Sequence, residues 1–270
     1  MDDRAVGAIN KVPAVALSFW AIKILATTVG ETGGDAVSMS WLGETTPSAA
    51  SSAVNGYLLG TAIFGLLLIA LVWLQIRSRR FNAWLYWATI IASTTAGTTL
   101  ADFATRSIGI GYPGGSLLLF GLVIISLFSW HRALGSVDVN SICSGRAETF
   151  YWITITFSQT LGTALGDWVA DGSLGYSGAA LFFGAALAIL AAAYYFTRIS
   201  HVLLFWSAFI LTRPLGATVG DFLDKPVGKG GLELSRSLAT AVLAAAILLL
   251  IMFVPQRAGG HPKGADKSPS

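Results

Sequence analysis

Six long stretches of the chain contain no charged residue, and this feature limits what the protein can fold into. Each stretch is 18 to 23 residues long, and a helix needs about 20 mostly apolar residues to cross a bilayer. Two more apolar stretches hold one charge each, Lys23 in residues 12–30 and Arg213 in residues 199–220. The sequence therefore predicts an all-α, polytopic membrane protein with eight transmembrane helices. The uncharged stretches are residues 54–76, 81–101, 112–130, 149–166, 174–196 and 237–254.

The composition argues against the common soluble classes of protein. Of the 270 residues, 54% are hydrophobic and only 11% are charged, whereas soluble domains carry about 25% charged residues. The net charge of +3 is too small for a nucleic-acid-binding protein. A single cysteine allows no intrachain disulfide, and neither a Cys/His zinc pattern nor a GxxxxGK[ST] motif is present. We expect neither an enzyme nor a bound cofactor.

One spacing recurs four times, in the first, third, fifth and seventh predicted helices: Trp, nine residues, Gly, four residues, Asp. Four two-helix units inserted in the same direction are parallel repeats, which are related by an axis along the membrane normal. We predict that the odd helices form an inner ring and that the even helices face lipid. The units begin WAIKILATTVGETGGD (20–35), WATIIASTTAGTTLAD (87–102), WITITFSQTLGTALGD (152–167) and WSAFILTRPLGATVGD (206–221).

The repeats predict one transmembrane domain over residues 1–254 and a disordered cytoplasmic tail over residues 255–270. Arg and Lys concentrate in the loops between helices 2 and 3, 4 and 5, and 6 and 7, and at both ends of the chain. The positive-inside rule then places both termini in the cytoplasm. The repeated Trp residues are predicted to be anchors at the membrane interface, and the repeated Gly residues to allow close helix packing. The four repeats are expected at about residues 12–76, 81–132, 148–198 and 199–254.

Polar residues line one face of each odd helix, because residues four apart lie on the same side of a helix. Acids exceed bases on these faces, so we expect a bound cation. Carboxylate and hydroxyl oxygens suit Mn²⁺, Ca²⁺ or Mg²⁺ better than zinc or copper. The alternative is that the acids only cap helices or pair with bases. The predicted metal ligands are Asp35, Asp102, Asp167, Asp221 and Glu31, with Thr98 and Thr163 as further ion-binding residues.

Two bases lie near mid-membrane, where a charge requires a partner or a function. In a ring ordered 1-3-5-7, helix 7 closes on helix 1, so Arg213 is predicted to pair with Glu31. The pair is interpreted either as purely structural or as a gate that mimics the ion. Lys23 is assigned the same charge-pairing or gating class.

The Trp-x9-Gly-x4-Asp units resemble a family of uncharacterised bacterial inner-membrane proteins built of four two-helix repeats, and the resemblance covers residues 12–254. The segment Glu31-Thr32-Gly33-Gly34-Asp35 is similar to the repeated Glu-x-Gly-Asp-(Lys/Arg)-(Thr/Ser) motif of manganese/calcium exchangers, with one extra residue. Ala36 and Val37 replace the basic and hydroxyl residues of that motif, and those exchangers have inverted rather than parallel repeats. This second resemblance implies a substrate like Mn²⁺ or Ca²⁺.

These observations predict a secondary transporter, working as an exporter, of a hard divalent cation, with Mn²⁺ first and Ca²⁺ or Mg²⁺ as alternatives. A cation channel and a non-transporting membrane scaffold with a polar core remain competing functions. The expected partners are the lipid bilayer and a transported metal ion or proton, with no nucleic acid.

Overall fold

The computed structural model of the protein describes residues 10–43, 55–107 and 110–259. Within these ranges the chain is helical, and its β-structure is one isolated bridge between Pro13 and Ala258. Of the predicted tail, residues 260–270 lie outside the described residues. The α-helices are α1 (Leu17–Asp35), α2 (Gly56–Arg77), α3 (Ala83–Asp102), α4 (Gly111–Leu134), α5 (Gly145–Val169), α6 (Gly175–Phe196), α7 (His201–Asp224) and α8 (Arg236–Phe253).

The helix count differs from the eight separate helices predicted, because a π-helical turn, Ala170–Leu174, joins α5 to α6 without a break. The described chain therefore forms seven separate long helical runs. The joined run is still bent, since Gly172 has non-helical backbone angles and Gly175 has a positive φ of 63°. Similar π turns, Ala36–Trp41 and Phe103–Ser107, follow α1 and α3.

Five helical runs are long and apolar enough to cross a membrane, as expected for a multi-pass membrane protein. Neither α1 nor α3 is among them, because charges in α1 and hydroxyl groups in α3 lower their mean hydropathy. Both are largely buried inside the described part of the protein. The five runs are Gly56–Arg77, Gly111–Leu134, Gly145–Phe196, His201–Asp224 and Arg236–Phe253.

The odd helices form a closed ring at the centre of the protein. Helix α1 packs against α3 and α7, and α5 packs against the same two helices. The even helices lie outside this ring and present large apolar side chains outwards, as apolar lipid contact requires. The predicted inner and outer positions of the helices are therefore confirmed.

Each even helix packs mainly on the odd helix that follows it in the chain, not on the one before it. Thus α2 packs on α3, α4 on α5, and α6 on α7, while α8 closes the circle by packing on α1. The hydroxyl of Thr240 on α8 donates a hydrogen bond of 2.8 Å to the hydroxyl of Thr32 on α1. The last of the described helices thus completes the layer around the first.

The repeated glycines are the points of closest approach within the ring. A methyl group at Gly30, Gly97, Gly162 or Gly216 would overlap atoms of the next odd helix. Gly30 faces α3, Gly97 faces α5, Gly162 faces α7 and Gly216 faces α1. The four contacts follow one another around the ring, so the glycines do allow the close packing predicted for them.

The two ends of the described chain meet at the end of the ring where the odd helices begin. The Ala14 amide donates to the Arg257 carbonyl at 2.8 Å, and the Gly259 amide donates to the Val12 carbonyl at 2.8 Å. Residues 255–259, the first part of the predicted tail, are therefore held by backbone hydrogen bonds. This contact joins the last repeat to the first.

Candidate ion-binding site within the helix ring

Residues four apart along the odd helices form successive layers across the ring. At 1.5 Å of rise per residue, neighbouring layers lie about 6 Å apart. Three of the layers hold the predicted site, and their members are buried. We call them the Arg213 layer (Thr27, Thr94, Gln159, Arg213), the Glu31 layer (Glu31, Thr98, Thr163, Ala217) and the Asp layer (Asp35, Asp102, Asp167, Asp221).

The Arg213 guanidinium reaches all four helices of the ring. Its Nη2 lies 2.9 Å from Glu31 Oε2 on α1, and the same nitrogen donates to the hydroxyls of Thr98 on α3 and Thr163 on α5. Its Nη1 donates to the Thr27 carbonyl at 3.2 Å. The ion pair predicted from the helix order is therefore present. Thr98 and Thr163, which were predicted to bind an ion, accept hydrogen bonds from this guanidinium instead.

The structure does not bring Lys23 to a carboxylate. Its ammonium donates to Gln159 Oε1 at 3.4 Å and lies 4.1 Å from the centre of the Phe209 ring. No salt bridge involves this lysine among the described residues, although its side chain is completely buried. The predicted charge pairing of Lys23 is thus replaced by an amide and an aromatic ring, because Lys23 lies two helical turns from Glu31.

Two bases contact the four carboxylates of the Asp layer in a twofold pattern. Arg106 lies 2.7 Å from Asp102 on its own helix and 3.0 Å from Asp167 on the next odd helix. Lys225 lies 2.9 Å from Asp221 in its own repeat and 2.6 Å from Asp35 on the next odd helix. Because equivalent positions in repeats 1 and 3 hold Met39 and Asp171, only alternate repeats supply a base.

Both bases lie just beyond their helices and are positively charged at neutral pH. The charge of Asp102 raises the pKa of the Arg106 guanidinium above its ordinary value. Burial lowers the pKa of the Lys225 ammonium, but the charges of Asp221 and Asp35 outweigh burial and hold that pKa well above its ordinary value. Each base therefore places a positive charge among the carboxylates, and we call such a base tethered because it is covalently part of the protein.

The carboxylates approach one another in two groups of three. Glu31, Asp167 and Asp221 each place an oxygen within 4.8 Å of the others, and so do Asp35, Asp221 and Asp224. We call these groups the inner triad and the outer triad. Asp102 belongs to neither group, although it was predicted as a ligand; Arg106 lies between it and Asp167 and pairs with both.

Several carboxylate oxygens in these triads have no hydrogen-bond partner. They include Oδ1 of Asp35, Asp167 and Asp224, all three of them buried. Leaving a buried charged oxygen unpaired is costly. Such oxygens are suited to bind a cation that approaches from within the ring.

Asp224 was missed in the sequence because it lies outside the repeated spacing. It comes three residues after Asp221, a spacing that places both side chains on one face of a helix. Arg236, at the start of α8, pairs with it through a contact of 3.3 Å between Nε and Oδ2. The i,i+3 relation to Asp221 was the signal that could have identified Asp224.

The opposite end of the ring is closed by aromatic side chains. Trp87, Trp152 and Trp206 are buried, so the positions at the lipid interface predicted for them are wrong, while Trp20 is half-buried. The reason is that each repeated Trp packs against an aromatic residue just before it, and these pairs face the ring interior. The rings involved are Phe19, Trp20, Tyr86, Trp87, Trp130, Tyr151, Trp152, Phe205, Trp206 and Phe209.

A ring of four equivalent helices, surrounded by apolar helices and filled with charged side chains, defines an α-helical membrane protein with fourfold internal repetition. The chain belongs to the DUF347 family, described as a Repeat of Unknown Function, whose model matches it four times. Comparisons with curated proteins and with solved structures find no match. The matched residues are 18–81, 85–135, 150–200 and 204–257.

Proposed function

We propose that the protein is a secondary transporter, working as an exporter, of a hard divalent cation. Mn²⁺ is the first candidate, with Ca²⁺ and Mg²⁺ as alternatives. We place it in a bacterial inner membrane, with eight transmembrane passes in four parallel repeats and with both termini in the cytoplasm. The observation that carries the proposal is the inner triad, in which Glu31, Asp167 and Asp221 from three helices bring buried oxygens within 4.8 Å.

The donor atoms favour one class of ion. The inner triad supplies carboxylate oxygens. The Thr98 hydroxyl adds an oxygen beside Glu31, and the Thr163 hydroxyl adds one beside the Arg213 nitrogen that contacts Glu31. Such ligands suit hard cations. The positively charged groups of Arg213 and Lys225 occupy the positions beside the carboxylates in which a divalent cation would bind. Binding therefore requires these tethered bases to move aside, and their return to the carboxylates favours release.

The closed interior supports a transporter over a channel. A channel needs a continuous open path, whereas here the aromatic rings fill one end and the Arg213 guanidinium crosses the middle. A rearrangement of the ring is therefore required before an ion can pass. A scaffold without transport is the outcome expected if the carboxylates prove dispensable.

Proteoliposomes loaded with an ion-sensitive dye test the proposal directly. Vesicles with wild-type protein are expected to take up Mn²⁺ faster than vesicles without protein. With unlabelled Mn²⁺ inside the vesicles, radiolabelled Mn²⁺ added outside is expected to show counterflow. Asp167→Asn and Asp221→Asn each remove one charge but keep the volume, so both variants should lose most of the flux.

Asp171→Asn is the matched control, because Asp171 is exposed and accepts a hydrogen bond from Tyr112 at 2.7 Å. It should transport at the wild-type rate. Wild-type flux from the variant with Asn at all four Asp-layer positions would refute the transporter. A flux without counterflow would instead indicate a channel.

A further inference from the structure

The outer triad lies at the end of the ring, where α7 meets α8. Asp35, Asp221 and Asp224 bring oxygens within 4.8 Å of one another. Oδ1 of Asp35 and Oδ1 of Asp224 are both buried and have no hydrogen-bond partner, while the second oxygen of each contacts Lys225 or Arg236. Two residues of one buried cluster therefore each have a carboxyl oxygen without a hydrogen-bond partner.

We propose that the outer triad is a second binding site, a loading site for a hard divalent cation, distinct from the inner triad. This inference rests on the proposed function and extends it. No sequence feature assigned a ligand role to Asp224, and its place in the triad comes from the three-dimensional structure. The carboxylate chemistry of the site selects the same class of ion as the inner triad.

A surface groove gives this site a route to solvent. The groove is lined by Asp224 together with Ser40, Glu233 and Arg236. The side chains of Asp35, Asp221 and Asp224 are all almost completely buried. An ion that enters the groove therefore reaches these carboxylates only when Arg236, which lines the groove and contacts Asp224, turns aside.

Two tethered bases control access to the outer triad. The Arg236 side chain is one-fifth exposed and lies 3.3 Å from Asp224, while Lys225 lies between Asp35 and Asp221. With three acids against two bases, one negative charge remains at the groove. A divalent cation binds most tightly when Arg236 turns towards solvent, because this frees Oδ2 of Asp224, the oxygen that Arg236 contacts.

Asp221 belongs to both triads and links the two sites. It shares the outer triad with Asp35 and Asp224, and the inner triad with Glu31 and Asp167. A cation held by Asp221 can exchange one pair of partner carboxylates for the other without losing all of its anionic ligands. The shared aspartate thus allows the ion to move from the loading site to the centre of the ring while it stays bound to Asp221.

Binding of Mn²⁺ to the full-length protein in detergent, followed by electron paramagnetic resonance, counts the sites without requiring transport. Wild-type protein and Asp171→Asn are expected to bind two ions. Asp224→Asn should bind one, and Glu31→Gln should also bind one. Asp221→Asn should weaken both sites.

Arg236→Gln provides a second test with the opposite sign. It removes the base that competes for Asp224, so the outer site should bind Mn²⁺ about tenfold more tightly, as expected for the loss of one partly screened charge close to the ion. Because this variant gains affinity, misfolding cannot produce the expected result. Its inner site should keep the wild-type affinity.

The outcomes separate this inference from the proposed function. One bound ion in wild type, with unchanged binding and flux in Asp224→Asn, would overturn the loading site and leave the inner triad as the transport site. An unchanged outer affinity in Arg236→Gln would also overturn it. If wild type shows neither saturable Mn²⁺ binding nor flux, the proposed function fails and the loading site fails with it.

Discussion

Arg213 Nη2 lies 2.9 Å from Glu31 Oε2, and the two side chains are only 0% and 3% exposed. The pair joins the last odd helix to the first and so closes the ring electrostatically. Removing one member leaves the other charged and buried, a change that typically costs about 3–5 kcal/mol. The pair is therefore expected to be the most sensitive contact in the protein.

We predict that Arg213→Gln and Glu31→Gln each lower the free energy of unfolding by about 3–5 kcal/mol, while the double variant loses less than the sum. The expected coupling is about 0.5–3 kcal/mol. Unfolding of all four proteins in mixed detergent micelles measures it. Strictly additive losses would show that the pair contributes no mutual stabilisation.

A second prediction concerns one of the closest helix contacts in the ring. In Gly162→Ala the new methyl group would overlap the Arg213 side chain and contact Pro214. Overpacking of this kind typically costs about 1–3 kcal/mol, and it should also displace the guanidinium from Glu31. The matched control is Gly184→Ala on α6, where an added methyl group meets no other atom within 4 Å. Equal melting temperatures for the two variants would contradict the packing described for the ring.

Two tryptophans on α3 allow a matched test of the aromatic end. Trp87 is completely buried, whereas Trp84, three residues earlier, is 48% exposed. Trp87→Ala should cost about 3–5 kcal/mol because it leaves a cavity among the rings, and Trp84→Ala should cost far less. Thermal unfolding in detergent measures both losses. A larger loss for Trp84→Ala would mean that the repeated tryptophan faces lipid after all.

The contact between the ends of the described chain gives a fourth prediction. Asn10 donates to the Val139 carbonyl at 2.9 Å and accepts from the Val12 amide at 3.0 Å, and its side chain is buried. Asn10→Ala should therefore destabilise the protein by about 1–3 kcal/mol, because two buried backbone groups lose their partner. Ser136→Ala, in an exposed turn, should change stability by less than about 0.5 kcal/mol. Equal unfolding midpoints for the two variants would show that the hydrogen bonds of Asn10 add no stability.

Much of the ring could be predicted from spacing alone. The Trp-x9-Gly-x4-Asp units placed equivalent residues at equal depth on four helices, and a closed ring then required helix 7 to meet helix 1. The Arg213–Glu31 pair and the glycine contacts follow from that geometry. No such argument could choose the partners of Arg106 or Lys225, since each base can reach its own helix or the next one.

One error comes from the rotation of a helix about its own axis, and another from position along a helix. Trp87 was expected at the lipid interface, but α3 is rotated so that this ring faces the centre. Lys23 was expected to meet an acid, but it lies two helical turns from Glu31 and meets Gln159 and Phe209 instead. Hydropathy does not report this rotation, because aromatic and long side chains suit both an interface and a core.

The sequence by itself determined the membrane-compatible class, the four repeats and the face of each odd helix that carries the charges, because composition and periodicity are local properties of the chain. Only the tertiary structure decided that each even helix packs on the following repeat, and that α8 closes on α1. It also decided that Asp224 joins Asp35 and Asp221. These arrangements depend on how helices cross and rotate against one another, and that choice is made by packing between residues far apart in the chain.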